Sequence, residues 1–447
     1  MSATPPFAHD RPADGCRGAV HAADRLPAMA VFLWLLPHFA IPAGPAYRPP
    51  AAGLFLLLWA VFAVLRPQKI RLRLSDPGRL RATIAAFFLY CMVSASYGVW
   101  NLGEEQRLVL HLTTGEITYL RVVVERLLQL VLVLVAFEVV RHSRHDSQRL
   151  MRWWLQGMFV AAGLHIVTYL LTDDVLAQRA ASFNEGNLAG LYYLLSVFMA
   201  LEYRRSVSIT RGTQFLSAAL IGVLLCRSSA AILLLGLLLS LRYVVLGRAG
   251  WQRIRRAVAV FALVPALSFA MASAGLDFGI REKLFEEELT ANSFSRIDRL
   301  ESISAAVQLF LDSPLLGHGL QSYGFLSNDL LSGPLASMYD TSYRRIPNNT
   351  YLELAAETGL IGLCLFVLFV ASLIRLIRRN GGAGRRHWLL GNLSILMYLN
   401  AFPTYTVVFL WVYLGIAVRR ATVEQEPAAI VPSSRRRPRL PCVTAFV

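Results

Sequence analysis

Charge is scarce in this chain. Only 16% of the 447 residues are Asp, Glu, Lys or Arg, against about 25% in an ordinary soluble domain. The deficit falls on the acids: 28 Asp and Glu face 44 Lys and Arg, a formal net charge of +16. So little polarity, with 55% hydrophobic residues and a mean hydropathy of +0.49, excludes one water-soluble core. A chain of this length holds about a dozen apolar spans of ~20 residues. Cysteine is also sparse. Cys16, Cys91, Cys226, Cys364 and Cys442 make no CxxC pair. They read as small buried or unpaired residues, and no metal site is suggested. No module of interleaved aromatic and basic residues is present, so the positive charge does not point to nucleic acid. A secretory leader is also missing from the pattern. Residues 1–27 are polar with Arg11, Arg17 and Arg25, and the apolar stretch that follows is broken by Pro37 and Pro42. An uncleaved cytoplasmic tail is expected.

Apolar runs predict spans at 28–45, 51–65, 82–100, 119–140, 153–171, 187–203, 214–227, 228–242, 257–275, 349–373, 388–401 and 404–418. The pair around Arg227 reads either as one broken helix or as a tight helical hairpin. With both termini inside, the cytoplasmic segments hold about 32 of the 44 Lys and Arg residues, the asymmetry that cytoplasmic loops carry. The expectation is an all-α polytopic protein of the bacterial inner membrane with about 12 transmembrane helices. Its divisions are a tail at 1–27, helices over 28–275, a large periplasmic loop at 276–348, helices over 349–418, and a basic tail at 419–447 that reads as disordered.

The loop is the one long extramembrane segment between spans, and a connection of ~70 residues is far beyond the usual length, which points to function. It begins with the acidic run Glu286, Glu287 and Glu288. Over Ser295–Leu311, Ile297, Leu300, Ile303, Ala306 or Val307, and Phe310 recur at helical steps. That spacing predicts an amphipathic helix at the membrane surface. A Gly- and Pro-rich turn, Pro314 to Gly319, follows, and the loop ends on Tyr343–Asn349.

Charged groups at membrane depth are expensive and point to function. Arg227, between two apolar runs, reads as an anion clamp for phosphate or diphosphate, or as a guanidinium snorkelling at a helix end. Arg121 and Glu125 lie four apart and can pair, with Arg126 beside them. Arg281, Lys283, Arg296, Arg299, Arg344 and Arg345 gather in the loop, on a face otherwise poor in positive charge. An anionic ligand arriving from the leaflet explains that concentration, and a solvated surface is the plainer reading. His318, between two glycines, reads as a turn residue or a catalyst. Asp298, Glu301, Asp312, Asp340, Glu353 and Glu357 are each open as a general base. Asn187 reads as a helix cap or a substrate contact, with Asn184 nearby. Gly359 and Gly362 read as close packing between helices.

Four segments, in order, resemble the bacterial O-antigen ligase and O-antigen polymerase superfamily. They are Ser182-Phe183-Asn184-Glu185-Gly186-Asn187-Leu188-Ala189 at the opening of a span, and Arg227-Ser228-Ser229-Ala230 between two spans. The third runs from Arg296 or Arg299 to Pro314-Leu315-Leu316-Gly317-His318-Gly319. The fourth is Asn348-Asn349-Thr350-Tyr351-Leu352-Glu353 through Glu357-Thr358-Gly359-Leu360-Ile361-Gly362-Leu363. The resemblance covers residues 180–375. It implies a GT-C-like membrane glycosyltransferase, free of metal and cofactor. Such an enzyme moves glycan from an undecaprenyl-pyrophosphate carrier to an acceptor hydroxyl at the periplasmic face. It gives Arg227 and Arg296 or Arg299 the diphosphate. Around them it suggests Asn184, Asn187, Arg344, Arg345, Asn349 and Tyr351 as substrate contacts, with His318 and Glu353 as candidate bases. The family's fourth motif opens on histidine, and here Asn348 stands in its place. Asparagine takes no proton at neutral pH but can orient a hydroxyl. The reading therefore leans to a polysaccharide polymerase of O-antigen or exopolysaccharide type. A flippase and a chain-length regulator are its expected partners.

Three rivals remain. A ligase would deliver glycan to lipid A core. A flippase or transporter would show matching halves, and none is visible. A non-catalytic scaffold is argued against only by the loop arginines.

Overall fold

The computed structural model describes residues 78–102, 108–111, 115–141, 146–173, 175–181, 183, 185–244, 255, 258, 291–330, 345, 347–380, 384–401 and 405–423. The expected spans at 28–45, 51–65 and, apart from Val258, 257–275 lie outside the described residues, as do both tails, apart from 419–423, and the acidic run.

Nine of the predicted spans are helices. They are α1 (Gly78–Asn101), α2 (Tyr119–Arg141), α3 (Ser147–Leu171), α5 (Gly186–Ser206), α6 (Ile209–Leu225), α7 (Ser229–Val244), α10 (Thr350–Asn380), α11 (Arg385–Tyr398) and α12 (Val408–Val423). A short helix, α4 (Val175–Ala180), joins α3 to α5. The loop contributes α8 (Ala291–Asp312) and α9 (Tyr323–Leu326), the latter running into a 3-10 turn at Ser327–Leu330. The chain is a helical membrane protein. Helices α1, α3 and α10 are long and apolar enough to cross a bilayer, and α6 and most of α7 are shorter apolar helices. Leu89, Met92 and Val93 on α1, Leu128 and Val131 on α2, and Val367 and Leu368 on α10 face outward. So continuous an apolar surface suits lipid rather than water.

One element departs from an all-helical reading. Strands β1 (Leu108–His111) and β2 (Gly115–Thr118) pair antiparallel, Leu108 opposite Thr118, between α1 and α2.

The helices alternate direction, so their ends sort into two sets. At one end, rich in arginine, Glu202 of α5 is fully buried. It accepts from Arg205 Nη2 at 2.6 Å and lies 3.0 Å from His387 Nδ1 and 3.7 Å from Arg420 Nη2. That carboxylate ties α5 to α11 and α12, as a buried charge must be paired to be tolerated. Arg419 donates to the Arg141 carbonyl at 3.1 Å, bringing in the end of α2. The other end carries the loop.

Between the ends, packing is aromatic. The Phe369 and Trp411 rings stack at 5.5 Å, with planes 3° apart. Trp154 donates to Ser196 at 2.8 Å, satisfying an indole N–H that lipid cannot.

The loop is fastened by two motifs that interlock. Helix α10 breaks at Gly359, whose φ is 63° and ψ −167°, a conformation costly for any residue with a Cβ. A Cβ there would stand 2.2 Å from the Leu315 carbonyl oxygen. The break frees backbone groups, and the Pro314–Gly319 turn takes them. Leu360 N donates to the Pro314 carbonyl at 2.8 Å, Gly319 N to Glu357 at 2.8 Å, and His318 N to Ala356 at 3.1 Å. Gly317, at φ 70°, lets its backbone rest on that of Glu357. The expectation that Gly359 serves packing between smooth helices is therefore corrected: it makes the break into which the loop docks. Gly362, one turn on, packs close to Thr358 and Tyr90.

Helix α8 seats a face of small residues. Ser302, Ala305, Ala306 and Leu309 are buried, while Leu300, Ile303, Val307 and Leu311 point outward. The apolar stripe read from the sequence is thus the face turned away from the protein. Leu315 and Leu316 continue it and are exposed, beside the outward Leu360 and Ile361.

Candidate functional site

Arg227 sits at the loop end, in the turn between α6 and α7, so the two runs form a tight helical hairpin. Its φ is 48°, a left-handed conformation unusual for a residue with a side chain. The turn is held by Arg227 N donating to Leu224 at 3.1 Å and by Ser228 Oγ capping α7 at Ala231 N, 3.4 Å. The guanidinium lies over the Tyr169 ring, 5.4 Å from its centroid, and Nη2 donates to the Tyr169 hydroxyl at 3.3 Å. Half-buried, it is neither flung into solvent nor neutralised by a carboxylate that these contacts show.

Beside that turn, Ser228 donates to Asn187 Oδ1 at 3.1 Å and lies 3.0 Å from the Tyr398 hydroxyl. Tyr398 donates to the Asn187 carbonyl at 2.7 Å. Asn187 Nδ2 in turn donates to Glu185 Oε1 at 2.7 Å. Burial pushes the Glu185 carboxyl above its ordinary range, while the guanidiniums of Arg179 and Arg299 pull it down. Arg179 packs its Cβ side by side with Gly186 and the Cys226 carbonyl, and its Nε is buried without a hydrogen-bond partner among the described residues. Two arginines, Arg179 of α4 and Arg299 of the loop helix, therefore act on one polar cluster, and the turn that carries Arg227 adjoins it through Ser228.

A second group joins α8 to the start of α10. Arg345 Nη2 meets Asp298 Oδ1 at 2.7 Å, and Asn348 Nδ2 donates to Asp298 Oδ2 at 3.2 Å. Asp298 and Arg299 are consecutive, so this clamp sets where Arg299 stands. Burial pushes the Glu301 carboxyl up, with Asp298 adding to the rise and Arg345 opposing it. It also pushes the Tyr323 hydroxyl up to about 12, as its O–H donates to the Ser302 carbonyl at 3.0 Å.

A third group lies deeper. Arg126 of α2 donates to Thr406 Oγ1 at 2.6 Å and to Gln321 Oε1 at 3.2 Å. It approaches Glu353 Oε1 at 3.7 Å and lies over the Tyr405 ring. Gln321, at φ 68°, also faces Glu353, with Nε2 at 3.5 Å.

Residues 214–367 match the O-antigen ligase family. That segment runs from the hairpin of Arg227 through the loop to the break in α10, so it contains Arg227, Ser228, Arg299 and the Asp298 group, while Tyr169, Arg179, Glu185, Asn187 and Tyr398 lie outside it. That segment, about a third of the chain, is similar to the O-antigen ligase family. The resemblance to the O-antigen ligase and polymerase superfamily is thus shown on this segment. No match to the chain is found among curated proteins.

The residues singled out from sequence fall into distinct places. Asn187 and Arg299 share the Glu185 and Tyr398 cluster, and Arg227 stands on the adjoining turn with its guanidinium on Tyr169. Arg345 and Asn348 join them through Asp298. Glu353 is instead in the deeper group with Arg126. His318 is turned inward: its Nε2 lies 3.0 Å from the Leu309 carbonyl, so that nitrogen carries the proton. Asn349 caps α10, accepting from Tyr351 N at 2.9 Å and Leu352 N at 3.1 Å. Tyr351 donates to the Leu396 carbonyl at 2.8 Å. Arg296 lies on α8, with a side chain outside the described residues, as are Asn184 and Arg344. Arg121 and Glu125 pair at 3.1 Å on the exposed side of α2. Sequence reading missed Arg179, Tyr169 and Tyr398. A tyrosine inside an otherwise apolar run was the one available signal for the last two.

Proposed function

We propose that the chain is a membrane glycosyltransferase. It moves glycan from an undecaprenyl diphosphate carrier to an acceptor hydroxyl, and it does so as a polysaccharide polymerase. The observation that supports this most is that Arg179 and Arg299 act on one polar cluster at the loop end, with Arg227 on the adjoining turn, beside a segment that matches the O-antigen ligase family. A guanidinium offers a fixed fork of donors suited to phosphate oxygens. The loop end is the periplasmic side in this reading, since the opposite end gathers most of the arginines.

The chemistry follows from that pocket. The acceptor oxygen attacks the anomeric carbon, the bond from that carbon to the diphosphate breaks, and the electron pair leaves on the diphosphate. Negative charge grows there as the sugar departs. Arginines fixed in place stabilise it without reorganising, and losing one such donor costs about 100- to 1,000-fold in rate. Tyr169 holds the Arg227 guanidinium from one side, and the strained turn aims it.

The family's description as O-antigen ligase favours a second reading, in which finished glycan passes to lipid A core. Analysis of carrier-linked glycan in a deletion strain separates the possibilities. Single repeat units left on the carrier, with no polymer, support the polymerase. Complete polymer on the carrier supports the ligase. Units trapped on the cytoplasmic face overturn both in favour of a flippase.

A further inference from the structure

We propose that the outward groove between α3 and α6 holds the isoprenoid chain of the carrier lipid, below a headgroup gripped by Arg227. This rests on the transfer reaction above and says where the tail of that substrate lies.

Both helices run from the arginine-rich end to the loop end. They pack through Phe159 and Phe215, whose rings meet edge to face at 6.4 Å. Beside this contact they part and leave a cavity of about 730 Å³. Phe159, Gly163 and Ile166 line it from α3, and Ile209, Thr213 and Ile221 from α6. The isoleucines and Phe159 are exposed, so the groove opens outward, on a surface that suits lipid. The one hydroxyl among these six is turned away: Thr213 Oγ1 donates to the Ile209 carbonyl at 2.8 Å.

Gly163 shows that the space is a groove and not loose packing. A Cβ there would meet nothing within 4 Å. Gly222 of α6 is the contrast, since its backbone rests against the Tyr193 ring as a packing glycine does.

The groove leads to a cation. At about 1.5 Å of rise per residue, Tyr169 stands about 9 Å beyond Gly163, and Arg227 about 9 Å beyond Ile221. There Arg227 Nη2 donates to the Tyr169 hydroxyl at 3.3 Å, with the guanidinium 5.4 Å from the ring centroid. The two helices that wall the groove therefore also carry the pair at its head. From Ile221 down to Ile209 the groove runs about 18 Å, more than half of a hydrocarbon core of about 30 Å. A lipid whose diphosphate sits on Arg227 has its tail directed into that length.

Charge and contact together select the occupant. A guanidinium fork suits diphosphate oxygens. The tail gains little by leaving the bilayer, which is as apolar as the groove. What the walls supply is close contact along a fixed path, which holds the headgroup against Arg227.

The test titrates the full chain in detergent with undecaprenyl diphosphate and with dimethylallyl diphosphate, whose single isoprene unit ends short of Gly163. Gly163→Leu puts a side chain into the groove where the protein leaves room for it. It is expected to bind undecaprenyl diphosphate about tenfold more weakly, the effect of overfilling a packed site, and to bind dimethylallyl diphosphate as the unaltered chain does. Arg227→Ala is expected to weaken both. Unchanged affinity for undecaprenyl diphosphate in Gly163→Leu overturns the groove, and leaves the transferase reading intact if Arg227→Ala still weakens both ligands. Equal losses for the two ligands in Gly163→Leu would mean that the Tyr169 end of α3 has moved, and would also overturn it. A photoreactive benzophenone residue in place of Ile166 is expected to capture undecaprenyl diphosphate in bilayer discs of phosphatidylethanolamine and phosphatidylglycerol doped with that lipid. Capture of disc phospholipid alone, or of another segment of this chain, overturns the proposal. Binding of neither diphosphate by the unaltered chain overturns both readings.

Discussion

Arg126 on α2 and Glu353 on α10 stand 3.7 Å apart, and Gln321 of the loop faces the same carboxylate oxygen at 3.5 Å. Two spans and the loop thus share one ion pair near the loop end. Glu353 is almost wholly buried, and Arg126 is the cation shown beside it. Removing one partner of such a pair costs about 3–5 kcal/mol, because the other is left uncompensated. Arg126→Met is therefore expected to lower the thermal unfolding midpoint in detergent sharply. Arg126→Met with Glu353→Gln is expected to recover much of the loss. A double variant no better than the single would show that the pair does not govern this junction.

The interlock at Gly359 makes a second demand. A methyl group at this position meets the Leu315 carbonyl and a backbone conformation it resists. Gly359→Ala is expected to cost about 1–3 kcal/mol and to release the Pro314–Gly319 turn. Limited proteolysis would then cut within 313–322 at protease levels that spare the unaltered chain. Unchanged cleavage would mean that the loop is held elsewhere.

Glu301 gives a dependence on pH. Burial raises its folded carboxyl pKa above the unfolded value. The unfolded chain then ionises first as pH rises, so the stability this group allows at low pH is lost as pH climbs through the folded value. Glu301→Gln is expected to match the unaltered chain below about pH 4, and to unfold at a higher temperature at pH 7. Equal midpoints at pH 7 would contradict the assignment.

Much of this was legible in the sequence, and particular residues show why. The run at 119–140 is a helix at Tyr119–Arg141, because a long apolar segment in lipid has few options other than helix. Arg227 stood out because a cation between apolar runs is either a functional group or a guanidinium snorkelling at a helix end. The hairpin at Leu108–Thr118 was missed, since four-residue strands are too short to show a period. The stripe of α8 was read as an amphipathic face at the membrane surface, and its Leu300, Ile303 and Val307 do point away from the protein. Ala305 and Ala306 pack inward because small residues allow close approach, and that inner face was not read from the sequence. Arg179 could not be found at all. Its part depends on Gly186 and Cys226 meeting it from other elements, and no local pattern records that.

The part given to the loop-end arginines is most directly tested by ligand binding. Full-length chain in detergent is titrated with undecaprenyl diphosphate and with undecaprenyl monophosphate, for the unaltered protein and for Arg179→Gln, Arg227→Ala and Arg299→Gln. The account predicts a clear preference for the diphosphate that each substitution weakens about tenfold or more, as the loss of a charge-assisted contact of 1.5–3 kcal/mol requires. Equal affinity for the two lipids, unmoved by any of the three substitutions, would contradict it.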